Sequence, residues 1–221
     1  MDRKPILAGI SQGDINGIGY EVILKALNDP LMNDICVPVV YGSPKVAAYH
    51  RKALNINNFS FNNIRTADEA NIRKANMINC LDDNVRVELG KSTPQGGEAA
   101  FISLERALED LRAGKINVLI TAPIDKKNIQ SEKFNFRGHT DYLKVKTGVD
   151  EVLMFMISEN MRIGFVTDHV PLRKVPELIT IDSLLKKIRL MNQSLIIDFG
   201  IRKPQIAVLG LNPHAGEETL L

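Results

Sequence analysis

The chain has 221 residues, with 28 Lys plus Arg against 26 Asp plus Glu and a formal net charge of +2. Hydrophobic residues at 44% and charged residues at 24% supply one large or two small cores and exclude a disordered or collagen-like chain. Aromatics at 5%, no Trp and balanced charge leave no electrostatic footprint for nucleic acid or acidic lipid, so neither is expected as a partner.

Short apolar runs alternate with longer helical patterns, the signature of an α/β fold. A first strand is expected over 5–10, followed by the glycine-rich turn 11–19 and a helix over 20–28. A second strand spans 37–41, and Ser43-Pro44 opens the next helix as a cap followed by proline. Residues 56–95 are the least regular, with one strand over 77–80. Ala100, Phe101, Leu104, Ala107, Leu108 and Leu111 recur at helical spacing, and Gly114 stops that helix. A buried strand over 116–120 runs into Thr121-Ala122-Pro123. Strands over 152–157 and 163–167 flank a polar turn at Glu159-Asn160. Thr180 caps a long amphipathic helix that Gly200 ends, and a last strand is expected over 206–211.

Cys36 and Cys80 form no CxxC pair, so two buried small hydrophobes in a reduced setting are expected. The N-terminal apolar stretch is too short for a signal peptide, and no run approaches the ~18 apolar residues of a membrane span. The expectation is a soluble cytoplasmic protein with no membrane partner.

In an open α/β sheet, ligands gather at the carboxyl ends of strands. Four polar clusters fall there: Ser11 to Gly19, Thr121 to Lys127, Thr167-Asp168-His169 and Asn212-Pro213-His214. The last two each place a histidine just beyond an apolar run, where two imidazoles could share a metal ion, with Asp168 either orienting His169 or merely solvated. Gly138-His139-Thr140-Asp141 combines glycine, imidazole and hydroxyl, which suits an oxyanion, although by spacing alone a helix start capped by Thr140 or Asp141 is favoured. Lys126 and Lys127 either neutralise a substrate anion or form a solvated face. His50, in a helical stretch after Tyr49, is expected at the surface. Gly13, Gly17 and Gly19 have the spacing G-x3-G-x-G rather than G-x-G-x-x-G, so a tight turn is favoured over a dinucleotide fingerprint.

Taken together, these blocks resemble the 4-hydroxythreonine-4-phosphate dehydrogenase family of pyridoxal phosphate biosynthesis. The matching residues are Gly13-Asp14 with Gly17-Ile18-Gly19 and Glu21, then Gly96-Gly97 and Thr121-Ala122-Pro123 with Lys126. Gly138-His139-Thr140 follows, then His169 with Pro171-Leu172-Arg173, and finally Gly210-Leu211-Asn212-Pro213-His214-Ala215-Gly216. The resemblance implies an isocitrate/isopropylmalate-dehydrogenase-like three-layer α/β/α fold that works as a homodimer. It implies NAD- or NADP-dependent oxidation of 4-phosphooxy-L-threonine to 2-amino-3-oxo-4-phosphooxybutanoate, which decarboxylates to 3-amino-2-oxopropyl phosphate. By the same resemblance His139 and Thr140 contact the phosphorylated amino-acid substrate. His169 and His214 bind a divalent metal (zinc, cobalt or magnesium), which would acidify the C3 hydroxyl and stabilise the enolate.

The family's third histidine ligand and further substrate-contacting residues lie downstream of Leu221. The expectation is therefore an incomplete dehydrogenase over 1–221, organised as two α/β lobes with interleaved boundaries. The turn also reads Asp14-Ile15-Asn16 and Gly19-Tyr20, where the family carries Asp-Pro-Ala and Gly-Pro. Two other readings stay open: a phosphate acyltransferase-like enzyme of related fold, which needs no histidine pair, and a non-catalytic dimerising remnant.

Overall fold

A computed structural model describes residues 5–212. The chain divides into two compact units, 1–143 and 144–221.

The first unit is built on a parallel sheet. Its elements are β1 (Leu7–Ser11), α1 (Gly19–Leu27), the single turn α2 (Met32–Ile35), β2 (Val37–Gly42) and α3 (Pro44–Ala53). They are followed by β3 (Asn62–Ile64), β4 (Asn76–Asn79), α4 (Pro94–Arg112) and β5 (Val118–Thr121). The strand order is β3-β4-β2-β1-β5, with every pair parallel. Side chains alternate across the sheet. Val40 and Met77 face a core with Ile23 and Leu24 of α1 and Val46 of α3. Val39, Tyr41 and Ile78 face the opposite core, with Ala107 of α4. Helices thus cover both faces, which is the three-layer arrangement a parallel sheet requires to exclude water.

Local signals account for the element ends. Ser43 accepts a hydrogen bond from the Val46 amide with Pro44 in the first turn, as its cap-then-proline pattern predicts. The Thr93-Pro94 pair does the same for α4, with Thr93 accepting from the Gly96 amide. This helix begins well before Ala100, because the cap and tertiary packing overcome the weak propensity of Gly96-Gly97.

Two expectations need correction here. The strand expected over 116–120 begins at Val118 and is not buried: Val118 and Ile120 are exposed, because β5 is the outermost strand. Ile116 itself is buried, but in the segment leading to the strand. Asn62–Ile64 forms a strand that its Asn-rich sequence conceals, and it is held by pairing with β4.

The second unit follows α5 (His139–Thr147), the helix in which the boundary between units falls. It contains the antiparallel hairpin β6 (Phe155–Ile157) and β7 (Arg162–Gly164), one turn of helix α6 (Val175–Leu178) and the long α7 (Ile181–Ile197). The hairpin turn is closed by the Ser158 amide donating to the Met161 carbonyl at 2.9 Å. Both strands are shorter than expected. Thr180 and Ser183 form a reciprocal capping box on α7. Residues 206–211 form no strand: they pair with no ladder among the described residues, and Val208, Leu209 and Leu211 are exposed. An apolar run becomes a strand only where another strand offers it hydrogen bonds. Among the described residues, no helix is long and apolar enough to cross a membrane.

Candidate active site

Parallel register places Ser11 beside Thr121, so the segments leaving β1 and β5 emerge together at the carboxyl edge of the sheet. The glycine turn 11–19 is built there. Gly13 adopts φ +70°, and a Cβ on it would lie 2.3 Å from the Pro123 carbonyl oxygen, so both conformation and space demand glycine. The Asp14 amide donates to that same carbonyl at 2.9 Å. Asp14 then accepts from the Asn16 amide at 2.9 Å through Oδ1, and from Asn128 Nδ2 at 3.1 Å through Oδ2.

Ile15, Asn16 and Tyr20 in this turn each have a structural role. Ile15 is fully buried in the core. Asn16 donates to Thr93 Oγ1 at 2.8 Å and accepts from the Glu88 amide at 2.7 Å, tying the turn to the segment that starts α4. Tyr20 donates to Gln12 Oε1 at 2.7 Å and accepts from the Ser43 amide at 3.0 Å. Burial holds the Tyr20 phenol far above its ordinary range, so it serves as a neutral hydrogen-bonding group.

His50 is a correction. It is 4% exposed, not a surface residue. Its Nε2 hydrogen-bonds the Ile15 carbonyl at 2.7 Å, and its ring stacks on Tyr20 with centroids 5.2 Å apart. Burial pushes its pKa below the ordinary 6.5, against the opposing effects of the Ile15 carbonyl and Glu21. Val46, Ala47 and His50 share one face of α3, so helical spacing was the signal that could have placed it inside.

Beyond β5, residues 122–138 form a loop closed by one side chain. Gln130 Nε2 donates to the carbonyls of Lys126 at 3.0 Å and Phe136 at 2.9 Å. Phe134, fully buried, anchors the loop by stacking on Tyr142 of α5 at 5.1 Å. Tyr142 also hydrogen-bonds Glu105 of α4. These bonds bring Gly138-His139-Thr140 back to Lys126: a Cβ on Gly138 would lie 3.6 Å from Lys126 Cε. Sequence spacing offers no sign of the Gln130 clamp.

His139 stands at the first turn of α5 with Thr140 exposed beside it. Its Nε2 is buried and has no hydrogen-bond partner, as is also true of Asn128 Oδ1. Burial, reinforced by the Lys126 ammonium, pushes the His139 pKa below 6.5, so the ring is neutral at physiological pH. A buried polar atom without a partner costs on the order of 1–3 kcal/mol, which a ligand at the site would recover.

His169 lies in the second unit, exposed and in the left-handed region at φ +49°. His214 lies outside the described residues. Among the described residues no three His, Cys, Asp or Glu side chains are grouped to hold an ion. They contribute one imidazole of the expected pair rather than a coordination set. Neither thiol joins a site. Both are free and half-buried rather than buried as expected: Cys80 packs at the edge of both sheet cores, where burial pushes its pKa up to about 12.

A family model described as pyridoxal phosphate biosynthetic protein PdxA matches residues 34–221. A 4-hydroxythreonine-4-phosphate dehydrogenase of Bacteroides thetaiotaomicron is 49% identical, over 100% of this chain and 61% of its own length. A relative from Oceanobacillus iheyensis, provisionally named D-threonate 4-phosphate dehydrogenase, is 34% identical over 100% of this chain and 66% of its own. The crystal structure of a 4-hydroxythreonine-4-phosphate dehydrogenase from Burkholderia phymatum superposes with a TM-score of 0.85 at 30% identity. That superposition covers 99% of this chain and 66% of the other. The chain thus spans 61–66% of the length of these relatives. Matched over most of its length in sequence and superposed on dehydrogenases of this kind in structure, the chain belongs to the PdxA family of pyridoxal phosphate biosynthetic proteins.

Proposed function

We propose that this chain serves the NAD- or NADP-dependent oxidation of 4-hydroxythreonine-4-phosphate (4-phosphooxy-L-threonine), whose 3-keto product loses carbon dioxide. The observation that carries this reading is the buried, unpartnered Nε2 of His139 in the Gly138-His139-Thr140 block of a chain 49% identical to a dehydrogenase named for that substrate. In this reading the neutral His139 ring and the Thr140 hydroxyl contact substrate. The glycine turn, held from behind by His50 and from the side by Asn128, shapes the wall of the site. A divalent metal on His169 and His214 would acidify the substrate's C3 hydroxyl. The chain's own contribution is to bind and orient the substrate at the carboxyl edge of the sheet.

A homodimer forms part of the same reading. Exposed apolar side chains of the second unit, among them Met156, Ile163 and Leu209, support self-association. A reduced cytoplasmic setting suits two free thiols. A second reading is a phosphate-binding chain without turnover, which the same unpartnered His139 Nε2 would serve.

The test is nicotinamide reduction, followed at 340 nm with the synthetic substrate, NAD or NADP, and zinc, cobalt or magnesium. D-threonate 4-phosphate is the competing substrate. Reduction that is lost in His139→Ala is expected. No reduction with either substrate, in a chain that still binds them, selects the reading without turnover. Sedimentation velocity at micromolar concentration tests the dimer, and a monomer there rejects it.

A further inference from the structure

We propose that Lys126 and His139 together form the receptor for an oxyanion of the substrate, with the Lys126 ammonium supplying the charge and the buried His139 Nε2 the directed hydrogen bond. The inference rests on the reading of His139 as a substrate contact and adds the residue that supplies the charge.

The two lysines that follow Ile124-Asp125 have the same chemistry but different surroundings. The charge of Lys127 falls on Asp125, whose Oδ1 also accepts from the Lys127 amide at 2.8 Å. Asp125 is further held by Ser92 at 2.5 Å. That carboxylate is engaged mainly by the Ser92 hydroxyl and by backbone amides. The stem of Lys126 lies beside Gly138, and its charge acts on His139. Among the described residues neither lysine's ammonium has an ion pair or a hydrogen bond, so it is the place of Lys126 beside Gly138 and His139 that separates the two. The nearby Arg137 guanidinium is engaged with Asp141 at 3.9 Å.

An unpaired cation beside a neutral imidazole is unfavourable for a protonated ring and favourable for an anion between them. The arrangement is built rather than incidental. Gln130 fastens both ends of the loop, through the carbonyls of Lys126 itself and of Phe136, two residues before Gly138. Phe134 anchors the loop from within the core. The ligand class is a phosphomonoester or carboxylate oxyanion, since both accept from an ammonium and an N–H at once.

The experiment titrates the 221-residue chain with inorganic phosphate at pH 7.5, and in a second arm with acetate, following the ring signals of His139 by NMR. His139→Gln identifies those signals. Phosphate is expected to shift them. Lys126→Met should weaken that binding about tenfold, the loss of one charge-assisted hydrogen bond. Lys126→Arg should restore most of it, and Lys127→Met should stay within about twofold of the parent. In phosphate-free buffer, Lys126→Met should also raise the pH midpoint of His139, because the repelling charge is gone. Acetate bound in preference to phosphate assigns the receptor to the carboxylate end of the substrate and upholds the proposal. No shift with either anion, or Lys126→Met binding like the parent, overturns it.

The outcomes are separable from those of the dehydrogenase assay. A chain that binds phosphate through Lys126 but never reduces nicotinamide defeats the activity and keeps the receptor. Turnover unaffected by Lys126→Met does the reverse.

Discussion

The two units of this chain differ in how they bury apolar side chains. Residues 5–143 enclose Tyr20, Leu24, Val39, Met77, Leu104 and Phe134 almost completely, on both faces of a sheet. Among the described residues of the second unit, Leu195 is the one hydrophobic side chain that is fully buried. That unit instead exposes Met156, Ile157, Met161, Ile163, Leu172 and Leu209, and an apolar groove of about 610 Å³ lies between the hairpin, α7 and residues 201–209. Its fixed points are largely polar or aromatic. Lys187 bonds Glu151 at 2.9 Å and the Val152 carbonyl at 2.6 Å, and Arg162 lies over the Phe199 ring at 5.0 Å. Secondary structure can therefore be well formed where a core is thin, but its stability then depends on partners that cover it.

The largest expected consequence is in hydrogen exchange of the whole chain. Amides of β1, β2 and β4 should exchange about a thousandfold or more slower than those of β6, β7 and α7, the spread between global and local opening. Equal protection in the two units would break the comparison. Protection of the second unit that rises with protein concentration would sharpen it, by identifying a second copy as the cover.

Core substitutions come next. Leu104→Ala, at 1% exposure, should cost about 2–5 kcal/mol in urea unfolding, whereas Leu172→Ala, at 85% exposure, should change stability by less than about 0.5 kcal/mol. Comparable losses would mean that Leu172 is buried in solution by an assembly.

A smaller effect is expected at the cap of α7. Thr180→Ala removes one half of the capping box and should cost about 1 kcal/mol, confined to exchange within the second unit. Propagation of that loss to β1 or β2 would argue against independent opening of the two units.

The smallest effect is on pH dependence, and it should reside in the first unit. His50 and His139 both have folded-state values below the ordinary 6.5, so the folded state favours the neutral rings. Their contribution is complete above about pH 6.5 and is lost as pH falls from there towards the folded values, because the unfolded chain takes up the protons first. His50→Gln keeps a donor for the Ile15 carbonyl without the titration, so it should flatten the decline of stability between pH 7 and 5.5. An unchanged slope would assign the acid response elsewhere.

Much of the first unit was legible because its signals are local. Strand β2 follows from the run Val37 to Tyr41, α3 from Ser43-Pro44, and the glycine turn from the spacing of Gly13, Gly17 and Gly19. The matched blocks also marked His139 and Lys126 as residues of interest. The sequence was less informative in two kinds of place. A three-residue strand such as Asn62–Ile64 has too little pattern to register, and exists because β4 lies beside it. Conversely, 206–211 has an apolar pattern and no strand to pair with among the described residues.

What the sequence by itself determined are the features governed by a few neighbouring residues. These are the caps of α3 and α7, the helical faces of α4 and α7, the glycine at position 13, and the blocks that mark the PdxA family. Backbone sterics and hydrogen bonds three or four residues apart decide such features before any tertiary contact forms. Only the tertiary structure decided that β5 stands at the sheet edge, that His50 is buried under the glycine turn, and that Lys126 rather than Lys127 faces His139. Each of these depends on which distant segments share a surface. Burial and loop closure by groups such as Gln130 assign different environments to adjacent residues of identical chemistry.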